Sequence, residues 1–256
     1  MNFVLSLNEF LRFLPVFIRC AAIILSIPVF STMIIPNIAR ISLPLWFSIA
    51  IYRTVEVPAI SQNLPELILG VVGEVTLGML FYTLVRIFFI PPQVSGEIIS
   101  FQMGFGIGGA ISPAADIPLT LVADFLYLMG LLLFFLLDVH HFFFVGLQKS
   151  FEVIPPFFVG YSESAHKVLI TSFGESLEIA VRLASPVLVP LFLIEVSMAL
   201  VAKTVPQINI FVVGLPLRVL LGLITMTTFL PLMSFIMGEW IKEMGKTSIK
   251  LIQILK

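Results

Sequence analysis

Charge is what this sequence has least of. Only 11% of its 256 residues are Asp, Glu, Lys or Arg, against roughly 25% in an ordinary soluble domain. Fourteen basic and fifteen acidic residues cannot cover a chain whose mean hydropathy is +1.12. Lipid or protein partners must cover the rest, which argues against a soluble enzyme. The formal net charge of −1 leaves no basic footprint for nucleic acid. Cysteine is nearly missing as well. Cys20 stands alone, so no internal disulfide can form, and it reads as a small apolar packing residue. Histidine is scarce, and no H-E-x-x-H motif, nucleophile elbow or phosphate loop occurs. No catalytic centre and no cofactor are expected. A cleavable leader is not expected either, because Glu9 and Arg12 precede the first apolar run and no small-x-small site follows it.

Long apolar runs are abundant. Crossing hydrocarbon as a helix takes about 20 mostly apolar residues. Candidate segments are Phe10–Ile35, Ile41–Ile60, Leu67–Ile90, Ile117–Leu147, Leu177–Ala202 and Ile208–Met237. A helix satisfies its own backbone groups in lipid. A barrel would show alternating residues, and these blocks are continuous. The expected fold is therefore all-α: a multi-helix membrane domain over 1–238, followed by a basic amphipathic tail over 239–256. Prolines should kink or break its helices. Pro91-Pro92 is expected to end one, Pro155-Pro156 to lie in the polar stretch Gln148–Lys167, and Pro28, Pro36, Pro186, Pro190 and Pro231 to punctuate others. No internal repeat is evident.

Almost every apolar segment carries an ionisable residue. Arg12 and Arg19 lie in the first, Arg53 and Glu56 in the second, Glu74 and Arg86 in the third. Asp124 and Asp138 follow in the fourth, Glu178, Arg182 and Glu195 in the fifth, and Arg218 in the last. A charge at mid-bilayer costs roughly 2.5–3.5 kcal/mol on insertion scales, so these residues should face protein or water. Arg53 with Glu56, and Glu178 with Arg182, are spaced to share a helix face. Snorkelling near segment ends suits Arg12 and Arg86. The others suggest helices assembled against partner subunits. In the tail, Lys242, Lys246, Lys250 and Lys256 oppose Ile241, Met244, Ile249, Ile252 and Leu255. This fits an amphipathic helix on an anionic, cytoplasmic membrane surface, or a helix docked on a partner.

Two clusters invite chemistry. Gly104-Phe105-Gly106-Ile107-Gly108-Gly109 contains G-x-G-x-x-G, but the surrounding strand and helix of a dinucleotide site are missing from these apolar blocks. Four glycines in six residues instead give a backbone free to bend. With Met103, Phe105 and Ile107 they suggest a flexible apolar constriction. Close helix packing through Gly104 and Gly108 is the alternative. Asp138, His140 and His141 admit a metal site or proton relay. With no companion ligands at useful spacing, a polar helix end is preferred.

Taken in order, further residues carry a resemblance. Arg19, Pro28, Phe30-Ser31, Pro36 and Arg40 come first, then Gly73-Glu74 with Gly78, then Gln102-x-Gly104. Leu131-Leu132-Leu133-Phe134-Phe135 and Asp138-x-His140-His141 follow. Pro206, Asn209, Phe211, Gly214, Pro216, Arg218 and Gly222 complete a P-x-x-N-x-F-x-x-G-x-P-(K/R)-x-x-x-G run. This pattern, spread over nearly the whole chain, resembles the FliR family of type III export-apparatus proteins, whose injectisome relatives are called SctT. The chain departs from it at Ser112-Pro113, where the family often has Asp-Pro, and in a glycine-rich loop with one aromatic, Phe105. The resemblance implies a single chain joining FliP-like and FliQ-like subunits in a helical export gate of the bacterial inner membrane. It implies passage of unfolded export substrates, a closure point at the Met103–Gly109 loop, an FlhB-like neighbour at the cytoplasmic mouth, and energy supplied elsewhere. A flagellar role is expected over an injectisome one. A secondary transporter for a small solute is the alternative from another class; it should show paired repeats around a midplane site.

Overall fold

The computed structural model describes residues 7–31, 36–55, 63–105, 121–157, 163–205 and 210–255. They form eight helices: α1 Leu7–Ser26, α2 Pro28–Ser31, α3 Asn37–Tyr52, α4 Leu64–Met103, α5 Leu121–Leu136, α6 Val139–Val153, α7 Glu163–Thr204 and α8 Ile210–Ile254. No strand occurs among the described residues, so the all-α expectation holds. By length and composition, α4, α7 and α8 can cross a membrane, and α5 with α6 adds a fourth span if that bent pair counts as one. Among the described residues there are three or four such helices, not the six apolar segments expected. α3 has only 16 residues, and α1 carries Glu9, Arg12 and Arg19 within 20.

Two breaks differ from expectation. Pro91-Pro92 does not end a helix: α4 runs through both prolines to Met103. Both rings are buried, and Ser95 Oγ donates to Pro92 O at 3.1 Å. A proline in a helix deletes one backbone bond, and packing on both sides can hold the remaining turns together. Met103, placed by the sequence in the glycine-rich loop, is accordingly the last residue of α4. Conversely, the continuous apolar block Ile117–Leu147 is broken. Asp138 takes a left-handed conformation, φ 54 and ψ 24, and α5 and α6 meet there at a 63° bend. Asp is among the few residues that visit this region readily. The break expected at Pro28 does fall between α1 and α2, and Pro36 precedes α3 at its N-cap.

The chain divides into two compact units. The first comprises 1–88, 134–172 and 242–256; the second comprises 89–133 and 173–241. In the first, Val16, Cys20 and Ile23 of α1, Phe81 and Leu84 of α4, Phe143 and Leu147 of α6, and Met244 and Leu251 of α8 are buried. Gly78 lets α4 press directly onto Ala22 of α1. The basic stretch from 239 onward continues α8 without interruption. Its apolar face is already used within this unit, with Gly245 against Phe142 and Ile252 against Gly146. In the second unit, Leu126 of α5, Leu183 and Val187 of α7, and Met233 and Met237 of α8 form the core. Gly96 brings α4 onto the backbone of Ala123.

The two kinds of helical glycine should respond oppositely to a methyl group. Gly78→Ala drives Cβ into Ala22 and is expected to destabilise by about 1–3 kcal/mol. Gly174→Ala in α7 meets nothing within 4 Å and should stabilise by up to about 1 kcal/mol through helix propensity. Thermal unfolding of the purified chain in detergent measures both signs. Equal melting of the two variants would contradict the packing described.

Candidate functional site

Two polar networks stand out among the described residues, one in each unit. In the first unit, Arg19 of α1 and Glu74 of α4 are each 1% exposed. Arg19 Nε donates to Glu74 Oε2 and Nη2 to Oε1, both at 2.7 Å. Nη1 donates to the carbonyls of Ser150, at 3.0 Å, and Ile154, at 2.7 Å. Nη2 also reaches Pro155 O at 3.3 Å. The five N–H groups of a guanidinium thus find five bonds, and the cation caps the carbonyl end of α6. The guanidinium carbon lies 4.6 Å from the centre of the Phe151 ring. Glu74 Oε1 further accepts the Phe157 N–H at 2.8 Å. Phe157 is left-handed, φ 64, a strained state for an aromatic residue, and its ring fills the space that a side chain at Gly70 would need. The expectation that such charges wait for partner subunits is corrected here: this pair is satisfied inside the chain.

In the second unit, the end of α4 is tied to two other helices. Gln102 Nε2 donates to Glu195 Oε2 of α7 at 2.9 Å. Arg218 Nη2 of α8 donates to Glu195 Oε1 at 3.1 Å. Met103 is wholly buried, its thioether lying where a Cβ on Gly222 would stand. Gly222 is one turn beyond Arg218, so α8 offers a cation and a notch side by side. Gly104 then stops α4 with φ 92, its N–H donating to Phe101 O at 3.0 Å. Glycine takes that conformation at little cost. Phe105 follows, half-buried. Gly106, Ile107, Gly108 and Gly109 lie outside the described residues. So do Glu56, Pro206 and Asn209, together with the side chain of Phe211.

The remaining sequence candidates are dispersed. Glu178 and Arg182 form the expected ion pair, 2.7 Å apart and more than half exposed on α7. Arg53 is exposed at the C-terminus of α3, and Arg40 is half-buried on the same helix. Gly214 is buried and Pro216 exposed in α8. At the α5–α6 bend, the ligand atoms of Asp138, His140 and His141 fall within 4.8 Å of one another. Asp138 Oδ1 is 3.6 Å from His141 Nδ1, and the two imidazoles lie 4.3 Å apart with planes 31° from parallel. The three groups are close enough to share one ion, and they stand at the N-terminal end of α6, with Asp138 and His141 exposed and His140 partly buried.

Sequence reasoning picked out Gln102, Glu195, Arg218 and Gly222 separately and did not join them. Residues 93 and 23 positions apart give no local signal of contact. The only hint was that each is polar or small within an apolar block.

The arrangement, a glycine-terminated helix end anchored in a bundle of apolar helices, extends over chain that a family model also covers. The model described as bacterial export proteins, family 1, matches residues 10–244. The chain belongs to this family of bacterial export proteins. It is similar to the flagellar biosynthetic protein FliR of Bacillus subtilis, with 31% identity over 227 residues, 88% of this chain and 87% of the relative. It is similar also to the FliR of Aquifex aeolicus, 27% identical over 94% of this chain and 93% of the relative. The Caulobacter vibrioides FliR is 30% identical over 81% of this chain and 84% of the relative. Both polar networks fall within the matched residues of this export protein.

Removing one partner from the buried pair leaves the other charge stranded. Glu74→Ala in this export protein is expected to cost about 3–5 kcal/mol. Replacing both members with apolar residues, Arg19→Met with Glu74→Leu, should cost less than the single change. Denaturant unfolding of the purified variants ranks them. A single variant as stable as the double would show that the pair is not the buried charge couple described.

Proposed function

We propose that this chain is the export-gate subunit of a flagellar type III secretion apparatus. With FliP-like and FliQ-like subunits it forms the channel that passes unfolded substrates across the bacterial inner membrane. Membership of the export family supports the class of function. The anchored loop base carries the mechanism: α4 ends at Gln102-Met103-Gly104, tied to α7 and α8, immediately before the glycine-rich stretch. A pore wide enough for an unfolded chain must be sealed at rest. Apolar side chains seal by excluding water, and glycines let the backbone that carries them move aside. Met103, Phe105 and Ile107 supply the first property, and Gly104, Gly106, Gly108 and Gly109 the second. An FlhB-like subunit stands at the cytoplasmic mouth in this reading.

Deletion of residues 104–109, or Phe105→Ala with Ile107→Ala, is expected to make the resting assembly leak small ions. Gly106→Pro should reduce secretion while the seal holds. Conductance of the purified complex in planar bilayers, with secretion measured in cells, tests both. A deletion complex as tightly closed as the wild type would move the seal to another subunit. Co-purification separates the alternative class: an export gate brings down FliP-like and FliQ-like proteins, whereas a solute transporter purifies alone or with copies of itself.

The tail of α8 meets anionic lipid on the cytoplasmic side in this reading. Its apolar face is occupied internally, so the contact is through lysines alone. Lys242, Lys246 and Lys250 are exposed, with Lys246 3.0 Å from Glu243. Each lysine near an anionic surface contributes on the order of 1 kcal/mol. Changing Lys242, Lys246, Lys250 and Lys256 to Gln should weaken binding of the assembly to anionic vesicles and abolish its salt sensitivity. Vesicle binding that is salt-insensitive in the wild type would rule the contact out.

A further inference from the structure

We propose that Asp138, His140 and His141 form a binding site for one divalent transition-metal ion such as zinc, at the corner where α5 meets α6. The proposal stands apart from the gate reading and uses none of its residues. The sequence favours a polar helix end here. The structure adds what spacing could not: one ligand atom from each residue, all within 4.8 Å of one another.

The surroundings of each group also point to a ligand. Asp138 occupies the N-cap of α6, where a carboxylate ordinarily accepts an N–H of the first turn from an extended backbone. Its backbone is instead left-handed, and its side chain makes no capping bond. Its Oδ1 stands 3.6 Å from His141 Nδ1, too far for a hydrogen bond. Donor atoms on a tetrahedral zinc, with bonds of about 2.0–2.1 Å, lie about 3.4 Å apart, so this pair is already near chelating distance. The ring of His140 is held against Phe134 and Phe135, with centroids 6.3 and 5.2 Å away. Among the described residues, its shielded Nδ1 has no hydrogen-bond partner. A shielded polar atom in that state calls for one, and a bound ion is one answer.

The donor set selects the metal. Magnesium and calcium take oxygen ligands, whereas imidazole suits zinc, copper, iron and nickel. Three protein ligands leave a position for water or another group. A helix N-terminus alone disfavours a cation. Here α5 ends where α6 begins, so the carbonyl end of one dipole offsets the amide end of the other. The consequence is mechanical. Ligands at 138, 140 and 141 tie the left-handed corner residue to the first turn of α6, and a bound ion locks the 63° bend.

Zinc and cobalt(II) are the probes. They are titrated, by calorimetry and by the visible absorption of cobalt, into the full chain purified in detergent without a histidine tag and stripped with chelator. One ion per chain is expected, with zinc displacing cobalt. Asp138→Asn keeps a residue that tolerates the left-handed state and should weaken zinc affinity on the order of tenfold or more. His140→Ala and His141→Ala should do the same, since losing even an outer-shell partner costs roughly 10–100-fold. His166→Ala, at the remaining histidine, should not. Zinc should raise the melting temperature of the wild type and leave that of Asp138→Asn with His141→Ala unchanged. Should the alanine variants melt low without metal, Asp138→Asn alone decides. The site is refuted if no stoichiometric zinc binds. It is equally refuted if the variants bind as tightly as wild type, the result that a plain Asp138–His141 ion pair would give. Magnesium bound as tightly as zinc would overturn the choice of metal.

Discussion

Arg19 and Glu74 meet where water does not reach, and the first unit is arranged around satisfying them. Burying both charges is tolerable only if every remaining donor and lone pair finds a partner. The guanidinium needs carbonyls beyond the carboxylate, and the open end of α6 supplies them at Ser150, Ile154 and Pro155. The carboxylate needs one more donor, and Phe157 offers its N–H by adopting a left-handed backbone. The glycines follow from the same demand. Gly70 makes room for the Phe157 ring, and Gly78 lets α4 approach α1 closely enough for a bidentate contact. A helix end, a strained turn and two close approaches thus answer one electrostatic requirement. In an oily chain, such a pair also fixes register, because apolar faces alone slide past one another at little cost.

Local patterns were legible and distant ones were not. Continuous apolar blocks announced helices, and the spacing of Glu178 and Arg182 announced their pairing, because both signals lie within a few turns of one helix. Pro28 marked a true break. Pro91-Pro92 did not, since the effect of a proline depends on whether neighbours cover the opened backbone, and here both rings are buried. The bend at Asp138 was signalled only by the polar cluster Asp138, His140 and His141, read as a helix end; one residue in a left-handed state turns the chain there by 63°. Arg19 and Glu74, 55 positions apart, were each read as charges awaiting another subunit. Composition shows that a charge needs a partner but not that the partner lies three helices along the same chain. Gln102, Glu195 and Arg218 escaped for the same reason.

The exposed apolar face of α7 bears on what surrounds the molecule. It runs from Ile170 through Leu177, Val181, Val189, Phe192, Leu193 and Leu200 to Val201. At 1.5 Å per residue that is about 46 Å of helix. The hydrocarbon of a bilayer is about 30 Å thick. Tilting by about 40°, the upper end of what is seen, shortens the projection of that face only to about 36 Å. Acyl chains alone therefore cannot wet the whole face, and the overhang would meet headgroups or water. An apolar surface left there is better covered by other protein than by water.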